Sequence, residues 1–188
     1  MCGIAGGLDL APGMLPQMLA RLDHRGPDDR GTFSGSSFAI GMTRLAILDQ
    51  AKGHQPFAST DGQVQAICNG EIYNWQELRK ELEAKGHHFT TRCDCEILPA
   101  AWLEWGEDLP TKLNGMFALA IWDKKLERLV LIRDHLGIKP LYFADSNDHI
   151  RFGSEIRSIA VDDSVPRTLD HDSVRLFLHF GYLPAPHT

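Results

Sequence analysis

The chain has 188 residues, 25 acidic against 19 basic side chains and a formal net charge of −6, with 43% of its residues hydrophobic. That balance argues against a nucleic-acid surface or a polybasic membrane binder, and no apolar run approaches the roughly 20 residues of a membrane span. The four cysteines do not resemble a secreted disulfide framework, and no basic-then-apolar leader opens the chain. The expectation is therefore a soluble, reduced, cytoplasmic domain without nucleic-acid or membrane partners.

In chain order, Cys2 to Leu10 reads as a buried, glycine-rich strand. Pro12 to Asp23 reads as a helix, with Met14, Leu15, Met18, Leu19 and Leu22 on one face. His24-Arg25-Gly26-Pro27-Asp28 is a polar turn, since Pro27 pushes Gly26 away from helix. Phe38 to Leu48 is strand-like around Arg44, and a loop from Ala51 to Gly62 follows. Val64 to Cys68 is a second buried strand, expected to stop at Asn69-Gly70. Asn74 is the expected cap of a helix from Trp75 to Lys85, ended by Gly86. Phe89 to Arg92 is a short strand, and Asp94 opens a helix carrying Leu98, Trp102 and Trp105. Pro99 lies deeper there than a first helical turn tolerates, so that helix starts late or begins distorted. Met116 to Trp122 and Leu129 to Arg133 form one hairpin, and Leu141 to Ala144 with Ile150 to Gly153 another. A last helix spans Leu169 to Phe180. Hairpins dominate and no βαβ alternation is visible, so the class is α+β with largely antiparallel sheets.

Several polar residues sit where chemistry can use them, though each has a plainer role. Loss of Met1 to an aminopeptidase would leave Cys2 with both a thiol and a free α-amine. Such an amine has a pKa of about 7.7–8.0, so it can accept a proton beside the sulfur that attacks as thiolate. Asn69-Gly70 is a strong turn dipeptide, or an oxyanion hole made of a side-chain amide and a backbone N–H. Arg44 is a surface cation on an alternating face, or a planar fork for a substrate carboxylate. Asp94 is a helix cap, or the partner of a substrate ammonium. His135 reads as a structural histidine. His87-His88 with Cys93 and Cys95 has the wrong spacing for a zinc knuckle; the two cysteines are better read as flanking Asp94 on the opposite face, if the chain is extended there.

Taken together, six segments carry a resemblance that none carries alone. They are Met1-Cys2-Gly3-Ile4-Ala5-Gly6, His24-Arg25-Gly26-Pro27-Asp28, Arg44-Leu45-Ala46-Ile47-Leu48-Asp49, Asn69-Gly70-Glu71-Ile72-Tyr73-Asn74, Asp94-Cys95-Glu96 and Arg133-Asp134-His135-Leu136-Gly137-Ile138-Lys139-Pro140-Leu141-Tyr142. In that order they resemble the glutaminase domain of class II glutamine amidotransferases, which are N-terminal-nucleophile (Ntn) hydrolases. The branch they look most like is the glutamine-dependent asparagine synthetases.

The resemblance implies a four-layer α/β/β/α sandwich and hydrolysis of the glutamine side-chain amide through a Cys2 thioester. It implies Cys2 as nucleophile, Asn69 and Gly70 as oxyanion hole, Arg44 at the α-carboxylate, and Asp94 with Glu71 at the α-amine, with no metal. Residues 1–165 would form the glutaminase domain, and 166–188 a linker and helix leading toward a synthetase domain absent from this chain. No Ser-Gly-Gly-x-Asp-Ser motif is present, so ATP and Mg are expected only in that other domain, and no cofactor in this chain. The expected partners are glutamine, the synthetase domain and a possible second copy of the chain. Cys93 stands where the family usually has Ser or Thr, which distinguishes the neighbourhood of Asp94. The alternative reading is a catalytically silent domain that keeps the fold and serves as a docking or regulatory module.

Overall fold

A computed structural model describes residues 1–47, 49, 51–146 and 149–184. Its strands are β1 (Gly3–Leu8), β2 (Asp29–Ser34), β3 (Phe38–Arg44), β4 (Phe57–Ala58), β5 (Val64–Ile72), β6 (Gly115–Asp123), β7 (Arg128–Arg133), β8 (Tyr142–Ser146) and β9 (His149–Gly153). The helices are α1 (Met14–Ala20), α2 (Trp75–Ala84), α3 (Leu98–Trp105), α4 (Leu109–Lys112), α5 (Ile156–Ile159) and α6 (His171–Phe180). One sheet runs β2-β3-β1-β9-β8 and the other β4-β5-β6-β7. Every strand pairing within them is antiparallel.

Strand periodicity explains the layering, because successive side chains point to opposite faces. In β3, Phe38, Ile40 and Met42 join Ile4 of β1 and Ile67, Ala118, Ala120 and Trp122 of the other sheet in one cluster between the sheets. Phe38 stacks on Trp122 across this gap, with ring centroids 3.8 Å apart. On the outer face of the first sheet, Ala5 and Ala39 meet Leu15, Met18, Leu19 and Leu22. The outer face of the second sheet offers Val64, Ala66, Phe117, Leu119 and Ile121 to Leu78, Leu82, Leu98 and Trp102 of α2 and α3. Both faces of β5 and β6 are thus covered, so their sequences read as continuous apolar runs. The result is the α/β/β/α sandwich expected above.

Several elements differ from the sequence reading. Asp29–Ser34 forms an edge strand that its charge and glycine concealed, paired along its length with β3. β3 stops at Arg44, and the expected end at Leu48 falls outside the described residues. β5 does not stop at Asn69-Gly70 but continues to Ile72, in register with Gly115 of β6. α1 is shorter than expected, because Gly13 takes a left-handed φ of 82° before it and the chain turns after Arg21.

Phe89 to Arg92 is not a strand. Side chains take the place of a ladder there, the Glu96 carboxylate accepting from the Thr90 and Thr91 N–H groups and Asp49 from that of Arg92. After it, Asp94–Ile97 is a 3₁₀ turn and α3 begins late, at Leu98, which puts Pro99 in the first turn where its missing N–H costs nothing.

α6 is capped by Asp170, which accepts from Asp172 and Ser173, and stops at Gly181 with a φ of 76°. Its apolar residues Val174, Phe177 and Phe180 remain exposed, and Leu178 is 78% exposed. Among the described residues no helix is long and apolar enough to cross a membrane.

Candidate active site

The register of β1 on β3 pairs Gly3 with Thr43, so Cys2 emerges beside Arg44 at the end of the sheet. The Cys2 thiol donates to the Leu45 carbonyl at 3.7 Å and accepts from the Leu45 N–H at 3.4 Å. Its own carbonyl accepts from Arg25 Nε at 2.9 Å, and Arg25 is held in turn by Glu155 at 3.0 Å. Arg44 is 5% exposed, and its Nη2 donates to the Asp49 carbonyl at 2.9 Å. Gly53 makes room for that guanidinium, since a Cβ there would lie 2.2 Å from Nη2.

β5 of the opposite sheet runs past these groups. Asn69 is 1% exposed and its Nδ2 lies 3.5 Å from Ser154 Oγ, which also accepts from the Ile4 N–H at 3.0 Å. Gly70, with φ 155°, has no room for a side chain, as a Cβ would sit 2.0 Å from the Met116 carbonyl oxygen. Asp94 is buried, and one carboxylate oxygen accepts from the Ile72 N–H at 2.7 Å. It does not cap a helix: Cys93 holds the cap position, without a side-chain cap bond.

Cys2, Arg44, Gly70, Glu71 and Asp94 all line one cavity of about 50 Å³, with Leu45, Ile47, Gln55, Cys68, Cys93 and Cys95. Asn69 is not among its lining residues. A larger open groove of about 930 Å³ lies beyond Asp49, lined by Trp75, Arg79, Lys80 and Arg92; Cys2 and Asp94 do not reach it. Cys2 and Asp94 sit instead at the small cavity.

The chain's four cysteines all border this space and all are free thiols. The 3₁₀ turn puts Cys93, Asp94 and Cys95 on one side, with their ligand atoms within 4.8 Å of one another. Flanking cysteines on an opposite face, as an extended chain would have them, are therefore not what the structure holds. Hydrogen bonding to Cys95 and then burial push the Cys93 thiol up from its ordinary value. Cys95 is held well above it, chiefly by its hydrogen bond to Cys68 and its burial. His87 turns away to Glu104 at 3.0 Å, and His88 is exposed, so the histidines join no cysteine site.

Sequence reasoning missed the supports. Asp28 accepts from the Ala46 N–H at 2.8 Å, and Asp49, at a left-handed φ of 42°, accepts through its carboxylate from Arg92 and Lys52. Gln55 pairs both ends of its amide with the Cys68 backbone. Asp134, central to the Arg133–Tyr142 segment, accepts from the N–H groups of Phe117, Leu136, Ile138 and Lys139. Burial alone would raise its carboxyl, but those four bonds hold it below the usual range. His135 is exposed beside it. Asp28, Asp49 and Asp134 all lie within the segments quoted above, but which backbone N–H each one serves depends on the fold.

A family model described as a glutamine amidotransferase domain matches residues 1–188. The chain belongs to the glutamine amidotransferase domain family. It is 39% identical to asparagine synthetase [glutamine-hydrolyzing] 1 of Bacillus subtilis (strain 168), an alignment covering 100% of this chain and 31% of that protein. It is 37% identical to asparagine synthetase [glutamine-hydrolyzing] 2 of Oryza sativa subsp. japonica, covering 86% of this chain and 28% of that one. The chain thus spans about a third of the length of these relatives. A B. subtilis glutamine phosphoribosylpyrophosphate amidotransferase structure, with ADP and GMP, superposes with a TM-score of 0.71 over 85% of this chain and 43% of its own, at 23% identity. That likeness speaks for the Ntn-hydrolase fold.

Proposed function

We propose that this amidotransferase domain hydrolyses glutamine to glutamate and ammonia with Cys2 as its nucleophile. The observation that carries the reading is the single cavity lined by Cys2, Arg44, Gly70, Glu71 and Asp94, residues brought together from four separate stretches of chain. After removal of Met1, the α-amine of Cys2 takes the thiol proton and the thiolate attacks the side-chain amide carbon. The Gly70 N–H and the Asn69 amide stabilise the oxyanion, and a preorganised donor there costs no reorganisation as charge develops. The ammonium formed at the N-terminus returns its proton to departing ammonia. Water then adds to the thioester, and its collapse releases glutamate and restores Cys2.

At the other end of the substrate, Arg44 grips the α-carboxylate and Asp94, with Glu71, the α-ammonium. Asp94 suits the part, since its partners among the described residues are a peptide N–H and a thiol, both neutral.

In the parent protein, residues 1–165 would be the glutaminase and 166–188 the connection to a synthetase part, with residues 185–188 outside those described. That part would bind ATP and Mg and use the ammonia to amidate an acceptor such as aspartate, in the cytoplasm. The exposed apolar side of α6 supports a surface that another portion covers, and self-association is a further candidate for it. The glutaminase needs no cofactor in this scheme.

The test is labelling with a thiol-directed glutamine analogue, paired with glutamate release. Stoichiometric labelling of Cys2 and loss of both signals in Cys2→Ala are expected. A folded, Met1-free chain that neither labels nor turns over would instead establish the silent docking or regulatory module.

A further inference from the structure

Asp94 is a buried carboxyl whose bonded partners among the described residues are neutral. The Ile72 N–H engages Oδ2, and the Cys93 thiol lies 3.7 Å from Oδ1. Burying a carboxylate among neutral hydrogen-bond partners is costly; Arg44 borders the same cavity, and a cation bound directly at Asp94 would offset that cost further. The thiols around it would make such binding selective. Cys93 Sγ, a carboxylate oxygen of Asp94 and Cys95 Sγ lie within 4.8 Å of one another, and Cys68 lines the same cavity. Ligand–metal distances of about 2.0–2.3 Å around zinc place ligands of one ion within that separation.

We propose that Cys93, Asp94 and Cys95 form a binding site for a soft d¹⁰ cation of the Zn(II) class, its fourth position facing the cavity that Cys2 and Cys68 line. Thiolate donors favour such ions over Mg or Ca. The backbone bond from Ile72 orients Asp94 from behind, the kind of outer contact that holds a ligand in place. The ion has an entry path, because Cys2, Arg44 and the exposed Ile47 border the same space. On binding, each of the two cysteines gives up its thiol proton to solvent and bonds the metal as thiolate. Asp94 contributes an existing carboxylate, and nothing is oxidised or reduced.

The consequence for catalysis rests on the glutaminase reading. A bound ion occupies the carboxylate assigned to the substrate ammonium, and so competes with glutamine and silences Cys2 reversibly. Metal binding itself does not depend on that reading.

The experiment uses the full chain, reduced and metal-free. Zn(II) affinity is measured by competition with a chromophoric chelator, and Cd(II) serves as a spectroscopic probe for sulfur-to-metal charge transfer. One ion per chain, the charge-transfer band, and proton release on binding are expected. Cys93→Ser, Cys95→Ser and Asp94→Asn should each weaken Zn(II) by at least about tenfold, while Cys2→Ala still binds it; even outer-contact losses cost metal sites 10- to 100-fold. Thermal melting identifies variants that fold normally, and Asp94→Asn, which conserves volume, keeps the test valid where a cysteine variant does not fold. Absence of stoichiometric binding, binding without the charge-transfer band, or undiminished affinity in a folded Asp94→Asn chain would each overturn the proposal.

Discussion

The two walls of the cavity are held in different ways. Gly70 and Glu71 belong to β5, which is laddered to β6 from Val64 to Ile72 and backed by α2 and α3. Cys2, Leu45 and Ile47 lie at or beyond the ends of β1 and β3, where side chains replace the ladder: Arg25 on Cys2, Asp28 on Ala46, and Asp49 bridging Arg44 and Arg92. A ladder that is buried on both faces opens only with the domain, whereas side-chain tethers at a sheet end release singly. The cavity of about 50 Å³ is well below the roughly 300–1,000 Å³ of ordinary ligand sites. In the mechanism proposed above, substrate entry would fall to the tethered wall, and positioning of the oxyanion to the laddered one.

The largest effect that would break this comparison is loss of the proposed nucleophile. Cys2→Ala should reduce glutamine hydrolysis to the blank while shifting the melting temperature little. Residual turnover above about a tenth of wild type, against the large losses typical of a removed nucleophile, would move the chemistry elsewhere.

The sheet frame should affect stability and leave turnover alone. Arg151 and Asp162 form a buried pair at 2.6 Å behind β1 and β9. Burial raises the Asp162 carboxyl, but the bonds from Ser164 and then Arg151 outweigh it and hold it below its ordinary value. A carboxyl depressed in the folded state stabilises above its unfolded pKa of about 3.9 and loses that contribution as pH falls through the folded value. Asp162→Asn should cost about 3–5 kcal/mol at neutral pH, as for a broken buried pair. Its difference from wild type should close as the pH is taken below about 4. A gap in denaturation midpoint that persists in acid would show that packing, and not charge, is responsible.

The laddered wall is tested by Asn69→Ala, which would remove one of the two oxyanion donors of the proposed mechanism. A loss of about 2.7–4 kcal/mol, or 10²- to 10³-fold in kcat, is expected. If KM alone moved, Asn69 would be a binding residue and not an oxyanion donor. Asp94→Asn should be milder, about 1.5–3 kcal/mol in kcat/KM for a charge-assisted bond. Unchanged glutamine kinetics at normal stability would remove Asp94 from substrate binding.

The smallest effects belong to the tethered wall. Arg44→Lys should raise KM, because an ammonium cannot reproduce the bidentate fork. Asp49→Asn, which keeps the backbone carbonyl that accepts from Arg44 but weakens the hold on Arg92, should raise KM less and leave kcat unchanged. Steady-state kinetics on both would reverse the comparison if Asp49→Asn lowered kcat more than Asn69→Ala did.

The sequence alone determined the class, the hairpins β6–β7 and β8–β9, the apolar face of α1, and five of the residues that line the cavity. Those signals are local: a period of two or 3.6, a glycine after a helix, a motif a few residues long. Tertiary structure decided the rest. Asp29–Ser34 is a strand because β3 offers it an edge, against its own polar composition. Asn69-Gly70 lies in mid-strand and not in a turn, because β6 supplies partners on past it and Met116 leaves room only for glycine. Phe89–Arg92 loses its strand because the Glu96 and Asp49 carboxylates take the N–H groups of Thr90, Thr91 and Arg92. The meeting of Cys2, Arg44, Gly70 and Asp94 around one space, with three more thiols on its wall, depends on how two sheets face each other. Contacts between residues 40 to 150 positions apart are set by packing that no short window of sequence contains.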